Sequence, residues 1–278
     1  MLVTLNEVLA DARKRQYGVG LFNTTDTDML EAVISAAEEM NSPVIIGTAE
    51  ILLYAGELKL IGPAFIEAAK RAKVPVVVHY DHGLTFERCM EALKLGFSSV
   101  MFDGSIGDYE QNIENTRQVV RIAHAFGASV EGEIGHVGQA ASCDNDTDDL
   151  YTKVDEARDF VERTGVDALA VAIGTAHGAY KSKPKLDLER LNNIANAIDT
   201  PLVLHGGSGL SDDDFRNTIK NGISKVNIYT DLCLAGNRGA LEGLQQNLSY
   251  LDVRNKKVDF IRQEVIKKML VFGCQDKA

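Results

Sequence analysis

The chain has 278 residues, with 29 Lys and Arg against 40 Asp and Glu, a formal net charge of −11 and a pI near 5.1. That balance argues against nucleic acid as a partner, because phosphate backbones are gripped by basic patches. Hydrophobic residues at 45% and charged residues at 25% are ordinary for a globular chain and argue against extended disorder.

Cys89, Cys143, Cys233 and Cys274 are scattered, with no C-x-x-C pair, which points to a reducing compartment and away from disulfides or a thiolate zinc site. Residues 1–17 mix Asn6, Glu7, Asp11, Arg13, Lys14 and Arg15 with apolar positions, so they carry no signal-peptide core. No apolar run reaches bilayer length. The expectation is a cytoplasmic protein without membrane contact.

Eight short apolar runs rich in β-branched residues follow one another at 18–23, 43–47, 74–79, 98–103, 129–133, 168–172, 201–205 and 225–228. The run Val74-Pro75-Val76-Val77-Val78 does not alternate with polar residues, as expected of a parallel strand covered on both faces. Helical periodicity fills the gaps. Thr27-Asp28 precedes a helix over 29–40, Thr85 one over 86–95, Asp108 one over 109–126 and Ser211 one over 212–221. Gly96, Gly127, Gly165 and Gly222 stand where left-handed helix ends belong.

Eight strand-helix units predict a (β/α)₈ TIM barrel. A doubly wound open sheet would want a glycine fingerprint after its first strand, where this chain has Phe22-Asn23-Thr24-Thr25-Asp26. No linker or repeat divides the chain, so one domain over 1–278 is expected. Two further helices, over about 232–246 and 255–272, form a C-terminal arm beyond barrel closure, available for oligomer contacts.

Barrel chemistry sits at the C-terminal ends of the strands. His79 and His82 end or follow the third run, His136 follows the fifth, His177 the sixth, and His205 ends the seventh; His124 alone falls mid-helix and reads as structural. Neutral imidazoles from three elements can hold a divalent ion and leave a position open for substrate. Asp81, Asp103, Glu131 and Glu133 gather at the same ends, and Glu131 and Glu133 share one strand face. No basic residue ends any of the eight runs, which favours a metal over ion pairs as their partner. Gly174-Thr175-Ala176-His177-Gly178, Gly206-Gly207-Ser208-Gly209 and Asn227-Ile228-Tyr229-Thr230 lie in the loops that commonly cradle phosphate in this architecture.

Together with His79-Tyr80-Asp81-His82-Gly83, these motifs resemble, in the same order, the class II metal-dependent ketose-bisphosphate aldolases, from about residue 22 to 273. The resemblance implies that His82, His177 and His205 hold a catalytic divalent ion, usually Zn²⁺. Asp103 and Glu133 match positions for a second or displaced cation. Asp81 would be the acid/base that protonates the aldehyde oxygen in condensation. Gly178, Gly206, Gly207, Ser208, Asn227, Ile228, Tyr229 and Thr230 match the dihydroxyacetone phosphate site. Fructose 1,6-bisphosphate is the implied substrate, tagatose 1,6-bisphosphate the next, and homodimers or homotetramers the implied assemblies.

The residues agree with a metal rather than a Schiff base as electron sink for the carbanion. No Lys ends a strand: Lys225 stands at the start of the eighth run, the wrong end, and Lys181 and Lys183 lie in the loop after the sixth, within reach of the mouth. The family's Gly-Gly-Glu loop reads Gly138-Gln139-Ala140-Ala141-Ser142 here, with no carboxylate until Asp144. Gly47-Thr48-Ala49-Glu50 replaces a Ser/Gly-rich phosphate contact, which opens an unphosphorylated acceptor aldehyde as an alternative; Arg254 or Lys256 could otherwise meet a second phosphate. His79 is expected to support a ligand rather than act as one. A different metal-dependent barrel enzyme, such as an isomerase or hydrolase, and a non-catalytic sugar-phosphate-binding protein are the competing readings.

Overall fold

The computed structural model describes residues 1–135, 137–139, 151–178 and 184–278. In chain order they form β1 (Leu2–Val3), α1 (Leu5–Arg15), β2 (Val19–Asn23), α2 (Thr27–Glu39), β3 (Val44–Ala49), a 3₁₀ turn (Glu50–Leu52), α3 (Leu58–Arg71), β4 (Val76–Gly83) and α4 (Phe86–Leu95). They continue through β5 (Ser99–Phe102), α5 (Tyr109–Ala125), β6 (Ser129–Ile134), β7 (Gly138–Gln139), α6 (Val154–Thr164), β8 (Ala168–Val171) and β9 (Ala176–His177). The last elements are α7 (Leu188–Ala197), β10 (Leu202–Leu204), α8 (Asp212–Lys220), β11 (Ile223–Ile228), α9 (Thr230–Gln245) and α10 (Tyr250–Phe272).

Eight strands run parallel in the order β4-β3-β2-β11-β10-β8-β6-β5, and β5 pairs back onto β4 to close the barrel. This is the expected (β/α)₈ TIM barrel. β1 adds at the start of β4, where Leu2 and Val3 face Val76 and Val77. The non-alternating runs are explained by double coverage: every residue of β2, β3, β6 and β11 is buried.

Local signals set the helix starts. The Thr85 and Asp108 side chains accept the Arg88 and Gln111 N–H groups, and Ser211 with Asp214 makes a full capping box. α2 starts a residue or two earlier than the Thr27-Asp28 signal suggests, because Asp26 is the cap and accepts from Met29 N–H. Gly96 and Gly165 cap their helices in the left-handed region, whereas Gly127 and Gly222 sit one residue beyond the caps Phe126 and Asn221.

The C-terminal arm is longer than its periodicity indicated. α10 begins at Tyr250 with Ser249 as its cap and lays Val258, Ile261, Val265, Met269 and Phe272 into the core. Each such side chain contributes about 1.5–3 kcal/mol on burial. Phe272 packs edge-on against Phe215 at 5.1 Å, and its carbonyl accepts the Gly18 N–H at 2.9 Å, tying the arm to the entry of β2. Cys89, Cys233 and Cys274 are free thiols; Cys143 lies outside the described residues. No helix among the described residues is long and apolar enough to cross a membrane.

Candidate active site and metal centre

β4 delivers His79, Asp81 and His82, β9 delivers His177, and His205 directly follows β10. One ring nitrogen each of His82, His177 and His205 lies within 4.8 Å of the others. Their ring centroids are 4.5 Å (His82–His205), 5.0 Å (His82–His177) and 5.8 Å (His177–His205) apart. His82, Asp103 and Glu133 form a second constellation with the same spacing.

His177 Nε2 is buried without a hydrogen-bond partner among the described residues, while His205 Nδ1 and Glu133 Oε2, both buried, lie 3.1 Å from each other. A buried polar atom left unpaired costs about 1–3 kcal/mol. Three imidazoles and nearby carboxylates are a donor set that a divalent cation satisfies, so the residues fit such an ion. His82 reaches this site at φ 45°, a left-handed conformation uncommon for a residue with a side chain. Asp103 Oδ2 holds its Nδ1 at 2.7 Å. The next residue must be glycine: a Cβ on Gly83 would come within 2.6 Å of Cys89 Sγ and of the Met101 carbonyl.

The carboxylates and imidazoles tune one another. Burial alone would lower His205, but hydrogen bonds to Glu131 and Glu133 outweigh it and push it up to about 10. Burial, with His82 and His205 nearby, drops His177 to about 3, so it is a neutral donor at neutral pH. Asp81 is held well below the usual carboxylate range: burial opposes this, but His82, His79, Lys225 and His205 overcome it.

Asp81 is 1% exposed. It accepts hydrogen bonds from Asn23 Nδ2 at 2.8 Å and from Asn227 Nδ2 at 3.1 and 3.2 Å. Asn227 is oriented in turn, since its Oδ1 accepts from Lys225 Nζ at 2.8 Å. Lys225 also lies 2.8 Å from Glu131 Oε2, and the other Glu131 oxygen sits 2.8 Å from His205 Nε2. One connected chain thus links the candidate acid/base to a candidate metal ligand. His79 is buried beside it, bonded through Nδ1 to Ser99 Oγ at 2.7 Å.

The turns complete the mouth. Gly178, Gly206, Gly207, Ser208, Asn227, Ile228, Tyr229 and Thr230 all line one cavity of about 370 Å³ together with His82, His177, Asp81, Asp103 and Glu133. The α8 N-terminus is closed by its own capping box, whereas the N-cap of α9, Tyr229, supplies no side-chain cap of its own. An anion in the cavity therefore meets the start of α9, where the helix dipole favours negative charge. Ser208 Oγ marks the place, accepting from the Tyr229 N–H at 3.2 Å and the Asp231 N–H at 3.4 Å. Gly206 has φ 65°, and a Cβ there would lie 2.3 Å from the Ala176 carbonyl oxygen.

The family model for class-II fructose-bisphosphate aldolase matches residues 3–277. The chain belongs to that family. It is 40% identical to the fructose-bisphosphate aldolase of Thermus caldophilus over the full length of both chains. The crystal structure of the YdjI aldolase from Escherichia coli K12 superposes with a TM-score of 0.91 at 37% identity, covering 100% of each chain. A structure of a putative fructose-1,6-bisphosphate aldolase from Coccidioides immitis gives 0.88 at 28% identity, covering 98% of this chain and 97% of that one. The family is metal-dependent, and its members are lyases of sugar phosphates.

Some expectations change. Lys225 is not at the wrong end: β11 begins at Ile223, so this residue lies inside the strand, 0% exposed, and neutralises Glu131. Glu131 is therefore ion-paired, against the expectation that favoured a metal over ion pairs as partner of the strand-end acids. Arg254 pairs with Asp28 at 2.8 Å and with Glu31, and Lys256 with Glu242 at 2.8 Å, so both are paired surface charges within the chain. His124 bonds Asp167 at 2.8 Å on the outer face, in keeping with a structural role. His136, the stretch 140–150 with Asp144, and Lys181 and Lys183 lie outside the described residues. Asn23 was not singled out; its signal was its place at the end of the first strand, opposite Asp81.

Proposed function

We propose that the chain is a Zn²⁺-dependent aldolase that reversibly cleaves a ketose bisphosphate to dihydroxyacetone phosphate and an aldehyde. Fructose 1,6-bisphosphate, giving glyceraldehyde 3-phosphate, is the first substrate, and tagatose 1,6-bisphosphate the next. The observation that carries this reading is the trio of imidazoles, two of which (His82 and His177) line one cavity with buried Asp81 and with Tyr229 and Thr230 at the start of α9. His82, His177 and His205 would hold the ion, with Asp103 and Glu133 available to a second or displaced cation. The ion supplies Lewis-acid polarisation of the donor oxygens.

The chain's own residues do the remainder. The Gly178, Gly206–Ser208 and Asn227–Thr230 backbone fixes the donor phosphate at the α9 start. Asn227, its amide turned by Lys225, orients the donor against Asp81. Asp81 removes the hydroxyl proton during cleavage and returns it to the aldehyde oxygen during condensation. Its two amide donors, Asn23 and Asn227, keep it ionised and aimed. A homodimer or homotetramer in the cytoplasm is the setting we propose, supported by the exposed apolar residues Leu241, Leu244, Tyr250 and Leu251 where α9 meets α10. Cleavage of each bisphosphate, followed by trapping of dihydroxyacetone phosphate with a reductase, tests the assignment. No turnover by fully metallated protein with either sugar would refute it.

A further inference from the structure

The cavity has two walls of opposite character. The phosphate turns come from the ends of β9, β10 and β11, whereas on the facing side, around Asp81, His82 and Asp103, the ends of β3, β4 and β5 add the apolar Ala49, Ile51, Leu52, Leu84 and Ile106, with Ser105 bonded to Asp103. No Lys or Arg is among the described residues that line the cavity. Ile51, Leu84 and Ile106 are 61%, 47% and 77% exposed, so they present bare apolar surface to whatever enters.

The polar groups of that wall are already committed. Glu50, between Ala49 and Ile51, accepts the Leu84 N–H at 2.8 Å and the Tyr80 hydroxyl at 3.2 Å. A carboxylate thus occupies a backbone donor that an anionic ligand would need, and adds a negative charge behind Leu84. The C-terminal cations are committed too, since Lys257 joins Arg254 on Asp28.

We propose that this wall is the acceptor arm and that it selects aldehydes with an uncharged distal end over phosphorylated ones. The inference rests on the aldolase reading above and ranks acceptors, leaving fructose 1,6-bisphosphate cleavage in place. A phosphate pressed against these side chains would lose water and meet no cation among the described residues of the cavity. Each methylene they cover favours binding by about fourfold. In the condensation the donor carbanion pair forms the new bond to the aldehyde carbon, the carbonyl π pair moves to its oxygen, and Asp81 delivers the proton there. The step needs no oxidant or reductant.

The experiment uses Zn²⁺-loaded protein and dihydroxyacetone phosphate. Exchange of the donor C–H proton with solvent deuterium, without any aldehyde, reads donor activation alone. Then kcat/KM is compared for glyceraldehyde 3-phosphate, glyceraldehyde and butanal. Exchange with both uncharged aldehydes ahead of glyceraldehyde 3-phosphate is the expected result. Exchange with the reverse order overturns the inference and leaves the aldolase reading standing; no exchange removes both. In Leu84→Lys the ratio of phosphorylated to unphosphorylated glyceraldehyde should rise by about fivefold, the worth of one partly exposed ion pair. An unchanged ratio would place the distal end elsewhere and overturn the assignment of this wall.

Discussion

Lys225 Nζ lies 2.8 Å from Glu131 Oε2 inside the barrel, with both side chains fully buried, and the same nitrogen donates to Asn227 Oδ1 at 2.8 Å. This one cation holds two branches of the site, one toward Glu131 and His205, the other toward Asn227 and Asp81.

Replacing Lys225 by Met keeps the volume and leaves the buried Glu131 charge with its histidine contacts but without its lysine. Breaking such a pair costs about 3–5 kcal/mol, so Lys225→Met should lower the unfolding free energy by that order in denaturant titrations. Lys225→Met with Glu131→Gln should recover much of the loss. A double variant as unstable as the single one would show that the pair is not what stabilises this interior.

Asp81→Asn turns an acceptor into a partial donor facing the Asn23 and Asn227 amides. Loss of a positioned acid/base typically costs about 10²–10⁴-fold in rate, so kcat should fall in that range while metal content stays at the wild-type level. Metal loss in step with activity would make Asp81 a ligand instead.

Thorough chelation should abolish cleavage, and restoring a divalent cation should return it. Borohydride in the presence of substrate should leave the protein active, because the lysine buried in the barrel is engaged with Glu131 and Asn227. Inactivation with a reduced adduct on a lysine would refute metal chemistry.

The metal-free chain should respond to pH through His205. Its folded value of about 10 lies above the ordinary 6.5, so its stabilising contribution is complete below 6.5 and lost as pH rises toward 10. The melting midpoint of chelated protein should therefore decline across that interval. Metal binding requires the neutral ring, so it should release a proton and tighten with rising pH, visible as buffer-dependent heat in calorimetry. A chelated protein whose midpoint is flat or rises over this interval would contradict the Glu131 and Glu133 contacts to His205.

The barrel was legible because its strands are double-covered, which writes unbroken apolar runs such as Val76-Val77-Val78 into the chain, and because Thr85, Asp108 and Ser211 announce their helices. The strand-end histidines were legible for the same reason, once the strands were placed. Lys225 was not, because a single residue of strand register decides whether a side chain enters the barrel or leaves it. Nor was the pairing of Arg254 with α2, since nothing local relates residues 28 and 254. The apolar acceptor wall was visible only as a departure at Ala49-Glu50; Leu84 and Ile106 join it through three-dimensional proximity.

Gly206 follows His205, and the Ala176 carbonyl that its missing Cβ would strike precedes His177. Two segments carrying imidazoles are thus spaced by the absence of a methyl group. A side chain at this turn would wedge the two rings apart, so the glycine beside the proposed phosphate site also sets the spacing of the two imidazoles proposed to hold the cation.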